Sequence, residues 1–251
     1  MNKIRLKRVY LCFSAILAFM LHLPVAFSGN KIFSSKTHTA EGNVVKIREE
    51  NRASSLYRVY DSLKLNMKGL SEQAFNYAVK GYEYLKVHGK IANENIISIA
   101  DFSRPSSEKR FFVIDVKNFK VLFNTYVAHG QGSGEKMATS FSNIPESYQS
   151  SPGFYRTEGT YTGKNGYSMR LEGLERGIND LAQERAIVMH GAPYVSKDFI
   201  DTKGYLGRSW GCPAVPEKLN RPIIDKIKNG SCLFIFSENK KYLNRSAILN
   251  A

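Results

Sequence analysis

The stretch from Ala186 to Ala214, AIVMHGAPYVSKDFIDTKGYLGRSWGCPA, holds the residues around which the rest of the chain is most simply arranged. Four apolar residues, Ala186 to Met189, run into His190-Gly191, which reads as a buried strand that stops at a turn and leaves His190 at the rim of a sheet. Cys212 follows Gly207, Arg208, Ser209, Trp210 and Gly211 and precedes Pro213, so it belongs to a tight, glycine-punctuated loop. Glycine next to a nucleophile lets the backbone turn sharply and aim N–H groups into a cleft. Such donors form an oxyanion hole, each worth ~3 kcal/mol. A thiol near its reference pKa is barely ionised at neutral pH, so a nucleophilic cysteine needs an imidazole or another positive group nearby. His190 and Arg208 are the local options. Taken singly, a free cysteine is more often a small buried hydrophobe, and a lone histidine more often a structural residue. Joined by this spacing and loop chemistry, the pair reads as a nucleophile with its acid/base.

Outward from this stretch, the chain changes period once. From Leu56, apolar residues recur at Val59, Tyr60 and Leu63, and a second helix is marked by Ser71 as N-cap, Leu70 and Phe75 as a staple and Gly89 as a stop. Its stripe of Phe75, Ala78, Val79, Tyr82 and Leu85 reads as a docking face. After Asn93 the pattern becomes β: 96–100, 111–116 and 121–128, the last two a hairpin through 117–120, then 153–157, 167–171, 186–189 and 232–237. One late helix, 220–228, bridges the cysteine loop to the final strand. Short strands with glycine- and serine-rich connections predict a mostly antiparallel sandwich or barrel-like sheet. The segment His129-Gly130-Gln131-Gly132-Ser133-Gly134 has phosphate-loop composition but lacks a Lys-Ser/Thr ending and opens no helix, so it fails as that motif.

His190-Gly191 followed by Ser209-Trp210-Gly211-Cys212 resembles the catalytic core of the L,D-transpeptidases. The wider wording, His190-Gly191-Ala192, Tyr194-Val195-Ser196 and Gly207 to Ala214, resembles most the murein L,D-transpeptidase catalytic domain family. The resemblance spans about 96–239 and implies a mainly β, L,D-transpeptidase-like β-sandwich, here with a small N-terminal helical segment. It implies Cys212 as nucleophile, His190 as acid and base, and Ser209 and Gly211 as the shapers of the loop and its oxyanion hole. Gly191, Arg208, Trp210 and His129 are then expected to line the substrate, which would be a peptidoglycan stem peptide, with no cofactor. For His129, a structural turn is an equal alternative. Two departures stand out: the arginine usual two residues after the cysteine is Ala214 here, and Trp210 occupies a position that is commonly His or Arg. Arg208 or Arg170 would have to supply the missing charge.

The N-terminus carries Lys3, Arg5, Lys7 and Arg8, an apolar run from Leu11 to Phe27, and the small-residue pattern Ala26-Phe27-Ser28. That order reads as a secretory signal peptide cleaved after Ser28, an uncleaved anchor being the alternative. The expected organisation is therefore a leader at 1–28, a flexible lead-in and helices at 29–94, a catalytic domain at 95–240 and a tail at 241–251. The whole chain of 251 residues has a net charge of +14, and removing the leader's four basic residues leaves +10. Without a basic helix or aromatic-basic interleaving, this charge points away from nucleic acid and, in an exported protein, toward acidic envelope polymers. The expected location is the periplasm or cell envelope, peripheral and without a membrane span once the leader is removed.

After the leader two cysteines remain, Cys212 and Cys232. A disulfide between them is the rival reading in an oxidising compartment, but Cys232 sits in Ser231-Cys232-Leu233-Phe234-Ile235-Phe236, a core-strand pattern, so Cys212 is expected to be free. No spacing offers a metal site: there is no Cys-x-x-Cys or His-x-x-x-His, and only three histidines follow Ala40. An L,D-carboxypeptidase using the same site and a non-catalytic envelope-binding protein remain as alternative functions.

Overall fold

The structure, a computed structural model, describes residues 56–251, so the expected leader and most of the lead-in lie outside the described residues. After a helical stretch at 56–62, Ser71 accepts a hydrogen bond from the Ala74 N–H at 3.1 Å and starts helix α1, Glu72–Val87. The side-chain oxygen satisfies an N–H that has no partner within the helix, which is why a serine stands there. Gly89, at φ +62°, follows the last turn.

Eight strands form one sheet: β1 Asn93–Asp101, β2 Phe111–Asp115, β3 Lys120–Thr125, β4 Gly153–Gly163, β5 Gly166–Gly173, β6 Val188–Ala192, β7 Ala214–Pro216 and β8 Ser231–Phe236. Their order across the sheet is β3-β2-β1-β8-β4-β5-β6-β7. Neighbours run antiparallel except for β1 with β8 and β6 with β7, which are parallel. The mainly β class expected from the sequence holds. The sheet curls until its edges approach: Ala128, just beyond β3, bridges to Ala214 in β7, its N–H donating to the Ala214 carbonyl at 2.8 Å.

Both faces of the central strands are buried, and the alternation of side chains sorts them into two cores. Ile97, Ile99, Phe112, Ile114, Cys232, Phe234 and Phe236 face α1 and the 56–62 stretch. Ala100, Phe111, Val113, Leu233 and Ile235 face the inside of the curl, with Ile223, Ile224 and Ile227 of helix α3, Glu217–Ile227. Helix α2, Lys197–Lys203, lies between β6 and β7 in the chain and has no buried residue. Residues 241–251, expected as a tail, instead return to the α1 side. Helix α4, Lys240–Arg245, buries Tyr242, and Ile248 and Leu249 follow it into the same core. Tyr242 and Ser246 donate hydrogen bonds to the buried Glu175 carboxylate, which also accepts from the Phe154 N–H at 2.8 Å. Three apolar residues spaced over eight positions carry no clear period, so this return was not visible in the sequence. Among the described residues, no helix is long and apolar enough to cross a membrane.

α1 seats on the sheet through Gly81. A methyl group there would come within 1.9 Å of Phe154 Cζ, and Phe154 is itself stacked on Phe234 at 4.2 Å. Gly to Ala inside a helix ordinarily stabilises by up to ~1 kcal/mol. Here the overpacking penalty of ~1–3 kcal/mol wins, so Gly81→Ala should lower stability in urea denaturation.

Candidate active site

β7 is the element that assembles the site. Its parallel pairing with β6 sets His190 opposite Ala214, and the residues just before β7 run alongside the start of β6. Cys212 Sγ lies 3.5 Å from the Val188 N–H, which donates to it, and the thiol points its own hydrogen at the Ala186 carbonyl, 3.8 Å away. The histidine strand does not stop at His190, as the sequence pattern implied. It continues through Gly191 and Ala192, so His190 is the middle residue of β6, paired with Ser168 on one side and Ala214 on the other. Three-residue β7 was too short to announce itself, and it is what prolongs β6.

His190 Nδ1 lies 2.9 Å from the Gly191 carbonyl oxygen. A carbonyl only accepts, so Nδ1 carries the proton and Nε2 is left with its lone pair, the form a general base requires. Burial lowers the imidazole's pKa, partly offset by that hydrogen bond. Gly191 itself, expected to line the substrate, faces α3: a side chain there would meet Asn220 Cβ at 3.0 Å and Glu217 Cα at 3.2 Å. Its contribution is to hold the His190 ring and admit the helix.

Ser209 folds the cysteine loop. Its hydroxyl donates to the Cys212 carbonyl at 2.7 Å and accepts from the Gly211 N–H at 3.1 Å. That second bond removes the Gly211 N–H from the expected oxyanion hole. The Cys212 N–H has no hydrogen-bond acceptor in another residue among the described residues and would be the donor available to an oxyanion. Gly211 has φ +119°, and a side chain on it would strike the Gln149 carbonyl at 2.8 Å, Ile187 Cδ1 at 3.0 Å and Arg185 Nη2 at 3.3 Å.

The glycine-rich 129–134 turn is the buttress of this loop. A methyl group on Gly130 would sit 2.9 Å from Gly211 N and Cα, so two backbones pack directly against each other. The Ser209 N–H donates to the His129 carbonyl at 3.0 Å, and the Gln131 N–H to the Ser209 carbonyl at 2.8 Å. Ser150 Oγ links both sides, accepting from the Gly130 N–H at 3.0 Å and donating to the Gly211 carbonyl at 3.1 Å. The His129 side chain is fully buried. Its Nδ1 is 2.7 Å from Arg110 Nη2, and since arginine only donates, Nδ1 accepts and Nε2–H donates to the Gly134 carbonyl at 3.2 Å. Of the two readings held open for His129, substrate contact and structural turn, this geometry supports the second.

Burial dominates the electrostatics. It pushes the Cys212 thiol above its ordinary value, against smaller lowering effects from the Val188 N–H and the Arg185 guanidinium. Arg185, which sequence reasoning missed, is thus the cation that acts on the thiol. It is half-buried and donates to the Ser142 and Gln149 carbonyls and to Ser151 Oγ, holding the 142–151 loop against Gly211. Arg208, one of the expected replacements for the absent arginine, donates instead to the Gly134 carbonyl at 3.2 Å and lies over the Tyr205 ring. Arg170, the other, lies over the Tyr161 ring at 4.5 Å. Trp210 is 67% exposed and leans on exposed Tyr148, ring centres 5.5 Å apart, at the lip of the loop. Cys212 and Cys232 are both free and belong to opposite cores, so they cannot meet.

A curled, mainly β sheet presenting a cysteine loop beside a histidine strand agrees with the family comparison. Residues 66–236 match the family model described as the L,D-transpeptidase catalytic domain, and the chain belongs to that family. Among solved structures, it is similar to an L,D-transpeptidase from Mycobacterium smegmatis, at 13% identity over 57% of this chain and 59% of that one, TM-score 0.35. It is also similar to one from Stackebrandtia nassauensis, at 13% identity over 66% and 68% of the two chains, TM-score 0.35. A third similar structure is the helical cell shape determining protein Pgp2 of Campylobacter jejuni, at 12% identity over 64% and 57%, TM-score 0.38. The match thus spans about three fifths of the Mycobacterium smegmatis chain. No curated protein sequence matches significantly.

Burial and Arg110 hold His129 down at about 3. The unfolded chain titrates this histidine near ~6.5, so between those values the unfolded state binds more protons. Its contribution to stability is complete above ~6.5 and is lost as pH falls toward 3. Urea denaturation from pH 7 to pH 4 should show a steeper loss for the native protein than for His129→Gln. Equal slopes would mean that His129 is not buried in its neutral form.

Proposed function

We propose that the protein is an exported cysteine acyltransferase acting on peptidoglycan stem peptides, an L,D-transpeptidase working through a Cys212 thioester. The observation that carries this reading is the parallel β6–β7 pairing, which puts the Cys212 thiol against the strand whose middle residue is His190, with Nε2 unprotonated. Family membership supports the reaction class.

In the resting site both groups are neutral, since burial raises the thiol and lowers the imidazole. Among the described residues no hydrogen bond joins them. Substrate entry is what brings the thiol proton to His190 Nε2: the sulfur attacks the carbonyl of the stem's third residue, and the oxyanion takes the Cys212 N–H. His190 then gives its proton to the departing D-alanine amine. An amine of a second stem attacks the thioester, loses a proton to His190, and regenerates the thiol. Arg185 favours the ionised sulfur during attack, and Ser209 and Gly211 keep the loop in the shape that presents it. Exposed Trp210 and the neighbouring Arg208 would meet the rest of the substrate. The signal-peptide pattern at 1–28 and the net positive charge support an envelope location, where such stems are found.

Incubating the protein with a disaccharide-tetrapeptide and reading products by mass spectrometry tests the proposal. A cross-linked dimer lacking one D-alanine is expected, and its formation should be abolished in Cys212→Ala. Cys232→Ala should keep turnover and lose only stability, since Cys232 is fully buried in the other core. Tripeptide alone would make the protein an L,D-carboxypeptidase, and no product from folded protein would favour a binding role.

A further inference from the structure

The proposed chemistry leaves one cation beside the site without a partner. Arg170 is exposed, and apart from the Tyr161 ring it has no hydrogen-bond or ion-pair partner among the described residues. It borders a cavity of about 450 Å³ lined also by Tyr161, Gln183, Ala186, Ile187 and Val188. Two of those residues are the ones that hold the thiol: the Ala186 carbonyl accepts its hydrogen and the Val188 N–H donates to its sulfur.

Strand register places the guanidinium on the working face of the sheet. Tyr161 pairs with Ser168, Ser168 with His190, and His190 with Ala214, while Arg170 pairs with Val188. Side chains at paired and alternate positions share a face, so Tyr161, Arg170, Val188 and His190 project to one side. Met169 and Met189, between them, project to the opposite side. Cys212 lies beside Val188, which puts Arg170 two strand spacings from the cysteine row, about 10 Å. A guanidinium stacked on an aromatic ring keeps its edge N–H donors free and pre-aligned, the arrangement that receives a carboxylate through two parallel hydrogen bonds.

Resting on the acyl-transfer reading above, we propose that Arg170, stacked on Tyr161, binds a carboxylate of the donor stem in this cavity and so sets which stems reach Cys212. Two carboxylates of a stem fit that chemistry: one on the side chain of a diamino diacid at the third position, and the terminal carboxylate of the leaving D-alanine. The first sits at the far end of a long side chain from the attacked carbonyl, which suits the two-strand offset.

Binding to the Cys212→Ala protein, measured by calorimetry, separates this proposal from turnover. Three probes are compared: a tetrapeptide stem with a diamino diacid at its third position, the same stem with that side-chain carboxylate amidated, and the same stem with its terminal D-alanine amidated. Arg170→Gln, at an exposed position, should leave thermal stability unchanged and weaken the first probe at least about tenfold, as expected for a charge-assisted hydrogen bond. Arg170→Lys should recover part of that loss. The probe whose amidation already weakens binding, and which then loses nothing further in Arg170→Gln, identifies the carboxylate. An equal loss for all three probes, no loss for any, or no binding of the first probe by the Cys212→Ala protein would each overturn the proposal. Failure of the native enzyme to turn over a stem that its Cys212→Ala form binds would overturn the acyl-transfer reading alone.

Discussion

The close approach of two backbones, Gly130 against Gly211, is the constraint on which the site depends. A side chain on Gly130 would strike the Gly211 backbone and the Tyr148 carbonyl, so the cysteine loop could not lie on the 129–134 turn, while one on Gly211 would strike the Gln149 carbonyl on the other side of the loop. Ser209 and Ser150 complete the lacing, each hydroxyl serving as both donor and acceptor, so no polar group is buried in this joint without a partner on its account. The loop is thus tied at both ends by hydrogen bonds, and in the proposed reaction the Cys212 N–H and sulfur would be in position before substrate arrives. Preorganisation of that kind is how fixed dipoles contribute most to acyl transfer.

Beneath the joint lies a cationic strut. Arg110 is fully buried, donates to the Val127 and Arg104 carbonyls and to His129, and packs over the Phe102 ring. Burial brings it down to about 9, with Asp101 and Glu108 acting in the opposite sense. A buried charge without a carboxylate in contact is costly unless its donors are satisfied, and here backbone carbonyls and a neutral histidine satisfy them. The same desolvation that makes this strut expensive keeps the Cys212 thiol and the His190 imidazole uncharged at rest. At rest the site therefore differs from a preformed thiolate–imidazolium pair, and in the proposed reaction the thiolate would form during attack, with the Arg185 charge favouring it.

The helices, the hairpin and the alternating core strands could be read directly, because period and capping are local properties of the chain. Ser71 and Gly89 bounded α1 as expected, and Cys232 fell on the core strand that its neighbours announced. The Cys212–His190 region was legible for a different reason, its glycine and serine wording. What stayed hidden was everything set by long-range pairing. β7 has three residues and no pattern of its own, yet it extends β6 past His190 and closes the curl through Ala128. Arg185 lies in an irregular stretch far in sequence from the loop it holds, and spacing did not reveal that Arg208 would turn to the Gly134 carbonyl or that Arg170 would stack on Tyr161. His129 drew attention for its glycine-rich setting, but only its partner Arg110, just before β2, shows that its ring is turned inward.

The proposed reaction stands on a covalent intermediate, the stem held as a thioester on Cys212. Acid-quenching the protein during turnover of a tetrapeptide stem, followed by intact mass measurement and peptide mapping, tests it most directly. An adduct equal to the stem less its terminal D-alanine is expected on the peptide that contains Cys212, and none on the peptide that contains Cys232. An adduct on another residue, or product formed in the complete absence of any adduct at Cys212, would contradict it.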